Sequence, residues 1–230
     1  MSLLKLCITR KIHKKNRLVT MYKYFKAAMD RILALLGLII LFLPLLIVGI
    51  VIRLDSKGCA VFKQERVGKD KKPFMCYKFR TMLSTDIETS ASNPIVGDDN
   101  ENLTRVGRWI RKWKIDELLQ LINVLKGEMS LIGPRPFMPV HIENYEPWEM
   151  QKFAVKPGMS GLSQVKGNVY LSGKERSYYD VLYTKKMSLS LDTEILFKTV
   201  GVILIGEKKY LKHVSELDIN TLKHEYEKQN

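Results

Sequence analysis

The segment ILALLGLIILFLPLLIVGIVI, residues 32–52, contains no charged side chain and as a helix is long enough to cross a hydrocarbon core of about 30 Å. No other feature constrains the fold as strongly, because in hydrocarbon every backbone N–H and C=O must be satisfied internally, and a helix can do this alone. The run exceeds the roughly 7–15 residues of a signal-peptide core and no small-residue cleavage site follows, so it is expected to be retained. Two placements stay open. Lys5, Arg10, Lys11, Lys14, Lys15, Arg17, Lys23, Lys26 and Arg31 precede it, and Arg53, Lys57, Lys63 and Arg66 follow. The positive-inside tendency puts both flanks in the cytoplasm, which a re-entrant helix satisfies and a single crossing does not. Pro44, near the middle, removes one backbone hydrogen bond and crowds the preceding turn, so a kink or break is expected there. Prolines are nevertheless tolerated in ordinary spanning helices.

A chain of 230 residues accommodates one catalytic domain plus an anchor. Its net charge of +14 implies anionic company: nucleic acid, lipid head groups or a phosphorylated substrate. The absence of a helix-turn-helix, finger or RNP-type motif, together with the apolar run, argues against nucleic acid. Cys7, Cys59 and Cys76 are odd in number and form no CxxC pair, so they suggest neither a zinc knuckle nor a disulfide framework and fit a reducing, cytosol-facing setting.

Downstream, residues 60–67 and 74–82 read as two strands joined by the polar turn 68–72, with Lys78 and Arg80 projecting on one face beside Phe74 and Cys76. Residues 84–102 are polar and read as a loop able to close over a substrate. From Thr104 to Lys126 the apolar spacing is helical, ended by Gly127. In GEMSLIGPRP an apolar strand runs into a turn where Pro134 and Pro136 restrict Arg135; alone, this is equally a stiff surface turn with a solvated arginine. Asp116 and Glu117 open the second half of the helical stretch. Acids there act as caps. The same position would lower the pKa of Asp116 and suit a nucleophile or metal ligand. Arg105, Arg108, Arg111, Lys112 and Lys114 nearby would serve a polyphosphate site.

Taken in order, FKQERVGKDKKPFMCYKFRTM, LTRVGRWIRKWKIDELLQLINVLKGEMSLIGPRP, VKPGMSGLSQVKG and SLSLDTEILFKTV resemble the bacterial sugar transferase family, the monotopic phosphoglycosyl transferases. The resemblance implies an α+β fold, mainly helical, with a small antiparallel β-hairpin, amphipathic interfacial helices and a re-entrant membrane helix broken at Pro44. With it the chain divides into a basic cytosolic arm (1–22), the membrane helix (23–54), a cytosol-facing catalytic domain (55–206) and a charged, helix-prone tail (207–230) that is either a partner helix or, the preferred reading, a solvated end. By the same resemblance Asp116 is the nucleophile, Glu117 binds Mg²⁺, Arg135 binds phosphate, and Asp192 supports metal or UDP; an N-cap role for Asp192 fits equally. Arg111, Lys78 and Arg80 are further phosphate contacts.

The implied reaction transfers a sugar-1-phosphate from a UDP-sugar to polyprenyl (undecaprenyl) phosphate through an aspartyl-phosphosugar ester, releasing UMP. It would begin a lipid-linked glycan at the cytoplasmic face of a bacterial inner membrane. Membrane lipids, a second copy of the chain or downstream glycosyltransferases are the implied partners. A non-enzymatic scaffold on anionic lipid is the alternative. Two departures stand out: Leu119 replaces a proline usual in the family, and GNVYLSGKERSYYD replaces a segment with an arginine-asparagine pair and a tryptophan, Gly173 lying near the tryptophan position. The sugar is left undetermined.

Overall fold

The computed structural model describes residues 3–83 and 102–228, the first helix up to residue 20 by its backbone alone. The loop read at 84–102 falls, except for Asn102, outside the described residues. Helix α1, Leu3–Asp55, takes up 53 residues. Its stretch Met21–Asp55 is long and apolar enough to cross a bilayer. Helical assignment continues through Pro44, which corrects the expected break. A proline deletes only one hydrogen bond, and the buried or half-buried positions Ala34, Leu38, Leu41, Leu45, Val48 and Ile52 recur at intervals of four and three on both sides of it. One continuous stripe therefore holds both halves against the body. The rest of the surface, including Ile39, Ile40, Phe42, Leu43 and Ile47, is exposed.

Against this stripe lies an antiparallel hairpin, β1 (Val61–Val67) and β2 (Pro73–Phe79), paired from Val61↔Phe79 to Val67↔Pro73. Its turn carries Asp70 and Lys71 at positive φ. Phe74 and Cys76 face α1 residue Ala34 in one cluster, and Phe79 meets Ile52 in the next. The chain then forms α2 (Arg105–Lys112), a 3-10 turn (Ile115–Leu119) and α3 (Gln120–Lys126). The single helix expected over 104–126 is thus interrupted: Lys114 takes a left-handed conformation (φ 57) that periodicity cannot reveal. Thr104 caps α2, accepting from Gly107 N at 2.8 Å, while Trp109 and Trp113 face outward beside Arg105, Arg108 and Lys112. Gly127 ends α3 at φ 82, as its position predicts.

A second, parallel pair, β3 (Ser130–Ile132) with β4 (Gly158–Ser160), was only half visible in the sequence. It brings the GPRP turn against the KPGMSG loop so closely that a Cβ on Gly158 would lie 2.1 Å from Gly133 N, which only glycine permits. The α+β, mainly helical architecture is completed by α4 (Gly173–Lys186), α5 (Leu189–Ile205) and α6 (Glu216–Glu227). Helix α4 opens with a Ser172–Glu175 capping box. Helix α5 buries Ile195 and Val202 and exposes Leu196, Phe197, Val200 and Leu204, an apolar outer stripe. Helix α6 packs Leu222 on Trp148 and Val181, so the tail expected to be solvated is instead partly docked.

Candidate active site

The left-handed turn at Lys114 swings the following 3-10 segment inward, so that Asp116 is buried at 8% exposure while its neighbour Glu117 meets the hairpin. Lys78 of β2 donates to Glu117 Oε1 at 2.7 Å, and Arg135 approaches the same oxygen at 3.9 Å. Asn123, fully buried, fixes this meeting. Its amide oxygen accepts from Tyr77 N (3.1 Å) and its nitrogen donates to Met75 O (2.7 Å) and Glu128 (2.7 Å), clamping α3 to β2. The dyad and Lys78, 39 positions apart, are therefore set by one buried amide.

Asp116, Lys78, Arg111 and Arg135 line a cavity of about 540 Å³. The cavity also reveals groups the sequence reading passed over. Arg66 enters it because the register puts Phe62 opposite Lys78 and Arg66 opposite Phe74, one face of the hairpin; the alternation carried that signal once the pairing was drawn. Arg176, Phe137, Tyr145 and Asn168 line the far wall, and nothing local in sequence marks them. Burial, then the charge of Arg135, lowers the proton affinity of both Arg66 and Arg176. Such crowding of guanidinium groups is relieved by a polyanion. Behind the wall, the buried Lys152 ammonium lies 3.3 Å from the Tyr145 ring centre and 4.1 Å from that of Phe137 and donates to Ser177 at 3.1 Å.

The two carboxylates are electrostatically distinct. Burial, reinforced by the adjacent Glu117 charge, raises Asp116 to about 6. For Glu117 burial alone would do the same, but Lys78 and Arg135 outweigh it and hold the group well below the usual range. The sequence expectation of a lowered Asp116 pKa is thus reversed, because dehydration and a like charge outweigh the end of a short helical turn. Asp116 Oδ1 is buried with no hydrogen-bond partner among the described residues.

Two assigned residues are placed elsewhere. Asp192 does not line the cavity. Its Oδ1 accepts from Tyr183 (2.7 Å), and its Oδ2 accepts from Tyr22 (2.7 Å) and pairs with Lys26 at 2.6 Å. It therefore latches α5 to α1 and has no free oxygen for a metal. Nor is it the N-cap of α5, since Ser188 accepts from Leu191 N. Arg80, which also lines the cavity, points its guanidinium at carbonyls in the last turn of α1 and just beyond it: Ile52 O at 3.5 Å, Ser56 O at 2.8 Å, and Lys57 O. It satisfies a helix C-terminus that would otherwise carry orphan acceptors.

The sequence model of the bacterial sugar transferase family matches residues 21–206. The chain belongs to that family. It is 38% identical over 201 residues to the UDP-galactose-lipid carrier transferase of Erwinia amylovora, covering 82% of this chain and 42% of that protein. It is 41% identical over 192 residues to the UDP-N-acetylgalactosamine-undecaprenyl-phosphate N-acetylgalactosaminephosphotransferase of Aeromonas hydrophila, with coverage of 80% and 45%. To the UDP-glucose:undecaprenyl-phosphate glucose-1-phosphate transferase of Caulobacter vibrioides it is 38% identical over 195 residues, with coverage of 80% and 72%. The chain therefore spans less than half the length of the first two relatives. Of the family departures, Leu119 is buried with Ile52, Phe79 and Ile110. Gly173 borders the cavity, and a Cβ there would meet nothing within 4 Å, so the missing side chain leaves open space.

Proposed function

We propose that this chain transfers a sugar-1-phosphate from a UDP-sugar to polyprenyl phosphate, with Asp116 as the covalent nucleophile. The observation carrying this reading is the Asp116 carboxylate itself, buried on the wall of a cation-lined cavity with one oxygen unclaimed. In the first step an Asp116 oxygen attacks the sugar-bearing phosphorus; the bond from that phosphorus to the bridging oxygen breaks and UMP leaves with the electron pair. In the second step an oxygen of polyprenyl phosphate attacks the same phosphorus, the aspartyl ester opens, and the free carboxylate returns. Lys78, Arg111 and Arg135 offset the negative charge that otherwise repels a carboxylate from a diphosphate. With its pKa near 6, Asp116 is mostly ionised at neutral pH and more basic than an ordinary aspartate, which favours attack.

A Mg²⁺ ion would be held, on this reading, by Glu117 and the neighbouring Asp116. The unclaimed Asp116 oxygen and the adjacent Glu117 supply the one or two carboxylates such an ion takes alongside substrate phosphates, although no cluster of three or more metal-binding side chains exists among the described residues. When bound, the ion would neutralise diphosphate charge. Asp192 is not part of that set.

The anchor supports the same reading. Lys26, before the apolar run, pairs with Asp192, and Asp55, after it, accepts from Val106 N at 3.2 Å. Both flanks thus tie to one body, which supports a helix seated in a single leaflet on the cytoplasmic face. Outward-facing Trp109 and Trp113 and the α5 stripe suit the head-group layer. The test is to incubate detergent-solubilised protein with a panel of UDP-sugars, with and without undecaprenyl phosphate. UMP release with acceptor, and a phosphosugar mass adduct on the Asp116 peptide without it, are expected. An Asp116→Asn variant that releases UMP at the parental rate would overturn the covalent assignment.

A further inference from the structure

The family match stops at residue 206, yet the chain beyond it returns to the cavity at two separate points. At the first, Glu207 Oε1 accepts from Lys114 Nζ at 2.8 Å and from Asn168 Nδ2 at 3.1 Å. Lys114 is the left-handed residue that opens the dyad turn, and Asn168 is a cavity wall residue. One carboxylate oxygen thus ties the turn bearing Asp116 to another part of the cavity lining. At the second, Lys223 of α6 donates to Glu146 Oε2 at 2.7 Å, while Lys174 takes the other oxygen at 2.9 Å. Glu146 and Lys174 both line the cavity; Lys223 does not. Glu146 is the residue after Tyr145, whose ring covers the buried Lys152.

The link between these points is not a loose tail. Leu222 is 6% exposed against Trp148 and Val181, and between the two contacts Tyr179 donates to Lys212 O at 2.9 Å and Val214 N to Glu175 at 3.0 Å. The segment is held by side chains of α4, the helix whose first turn forms the cavity rim. An exposed ion pair contributes little to stability, so the contacts at Glu146 matter for where the rim stands rather than for how firmly the protein folds.

We propose that residues 207–227 are a positioning element of the donor site: Glu207 sets the separation between the dyad turn and the Asn168 wall, Lys223 sets the Glu146 rim, and together they determine which nucleotide-sugar donor is accepted. The inference rests on the transfer reading above. Gly173, with open space around its Cα, lies on this rim, so the rim is shaped by the charged triad of Glu146, Lys174 and Lys223 rather than by a bulky side chain at 173.

Kinetics on the full chain test this. Lys223→Ala is expected to raise the KM for the preferred UDP-sugar about 3–10-fold and to change the ranking within a donor panel. kcat at saturating donor, KM for undecaprenyl phosphate and Tm should stay near parental values, and Lys223→Arg should restore the donor KM. Glu207→Ala is expected to lower kcat several-fold as well, since it frees Lys114. Parental donor KM and ranking in both variants would overturn the inference, as would a parallel change in donor and acceptor KM that tracks a fall in Tm, the mark of a merely structural role. If the parent itself releases no UMP from any donor, the transfer reading falls and this inference with it. Parental turnover with unchanged variants sinks the inference alone.

Discussion

Replacing Asp116 by asparagine removes a charge that folding must dehydrate, so the variant should be inactive and, at neutral pH, more stable than the parent. The carboxyl moves from an ordinary 3.8 to about 6 in the fold, chiefly through burial. At about 1.36 kcal/mol per pH unit, this corresponds to about 3 kcal/mol of destabilisation once the group is ionised in both states. A group raised in the folded state holds its proton more tightly there than in the unfolded chain. Its contribution therefore favours the fold in acid and is lost as pH climbs from about 4 through 6. Asparagine, nearly isosteric and uncharged, should recover most of that loss at pH 7.5 and much less at pH 4.5. Because Glu117 shares the local field, the expected gain is about 1–3 kcal/mol, or roughly 2–12 °C in Tm for a chain of this size. Activity should fall by on the order of 10³-fold or more. Thermal unfolding of parent and variant at both pH values, in one detergent, measures the effect. A variant less stable than the parent at pH 7.5, or a gain equal at both pH values, would refute the argument that Asp116 is a strained, dehydrated acid.

The parental rate should itself fall below pH 6 as Asp116 takes up its proton, a limb visible in kcat/KM for the donor. Lys78→Met deprives Glu117 of its 2.7 Å partner and should cost about 10²-fold in kcat; a loss below threefold would remove Lys78 from the site. Asp192→Asn should weaken the fold by about 2 kcal/mol through loss of the Lys26 pair while leaving donor KM and Mg²⁺ response intact, and an altered Mg²⁺ response would restore the metal role denied it here. For topology, Tyr24→Cys and the native Cys59, both exposed, should label from the same side of sealed vesicles with an impermeant maleimide in a Cys7→Ser background. Labelling from opposite sides would establish a single crossing.

The hairpin, the GPRP turn, the Gly127 stop and the membrane helix were legible because each rests on local rules: alternation, fixed φ, absent Cβ, unbroken apolarity. The interruption at Lys114 was not, since a left-handed lysine has no propensity signature and is held by its long-range partner Glu207. Arg80 looked like a phosphate ligand because strand alternation placed it beside Lys78; its contact with the chain at the end of α1, 24 positions upstream at Ser56, has no local signal. Asp192 misled for the same reason. Its position before an apolar helix fits a cap or a ligand, whereas Tyr22 and Lys26 from the other end of the chain use both its oxygens.

Sequence by itself determined the chemistry on offer: an uncharged apolar run, an adjacent pair of carboxylates, a proline-clamped arginine and an excess of cations. Tertiary structure decided how that chemistry is set. It raised Asp116 and lowered Glu117, tied Asp192 to Tyr183, Tyr22 and Lys26, turned Arg80 toward the end of α1, and gathered Arg66 and Arg176 around the cavity that Asp116 lines. The reason is physical: residue types and backbone propensities are local, but dehydration and Coulomb interactions depend on neighbours in space, and those are supplied by chain far away in sequence.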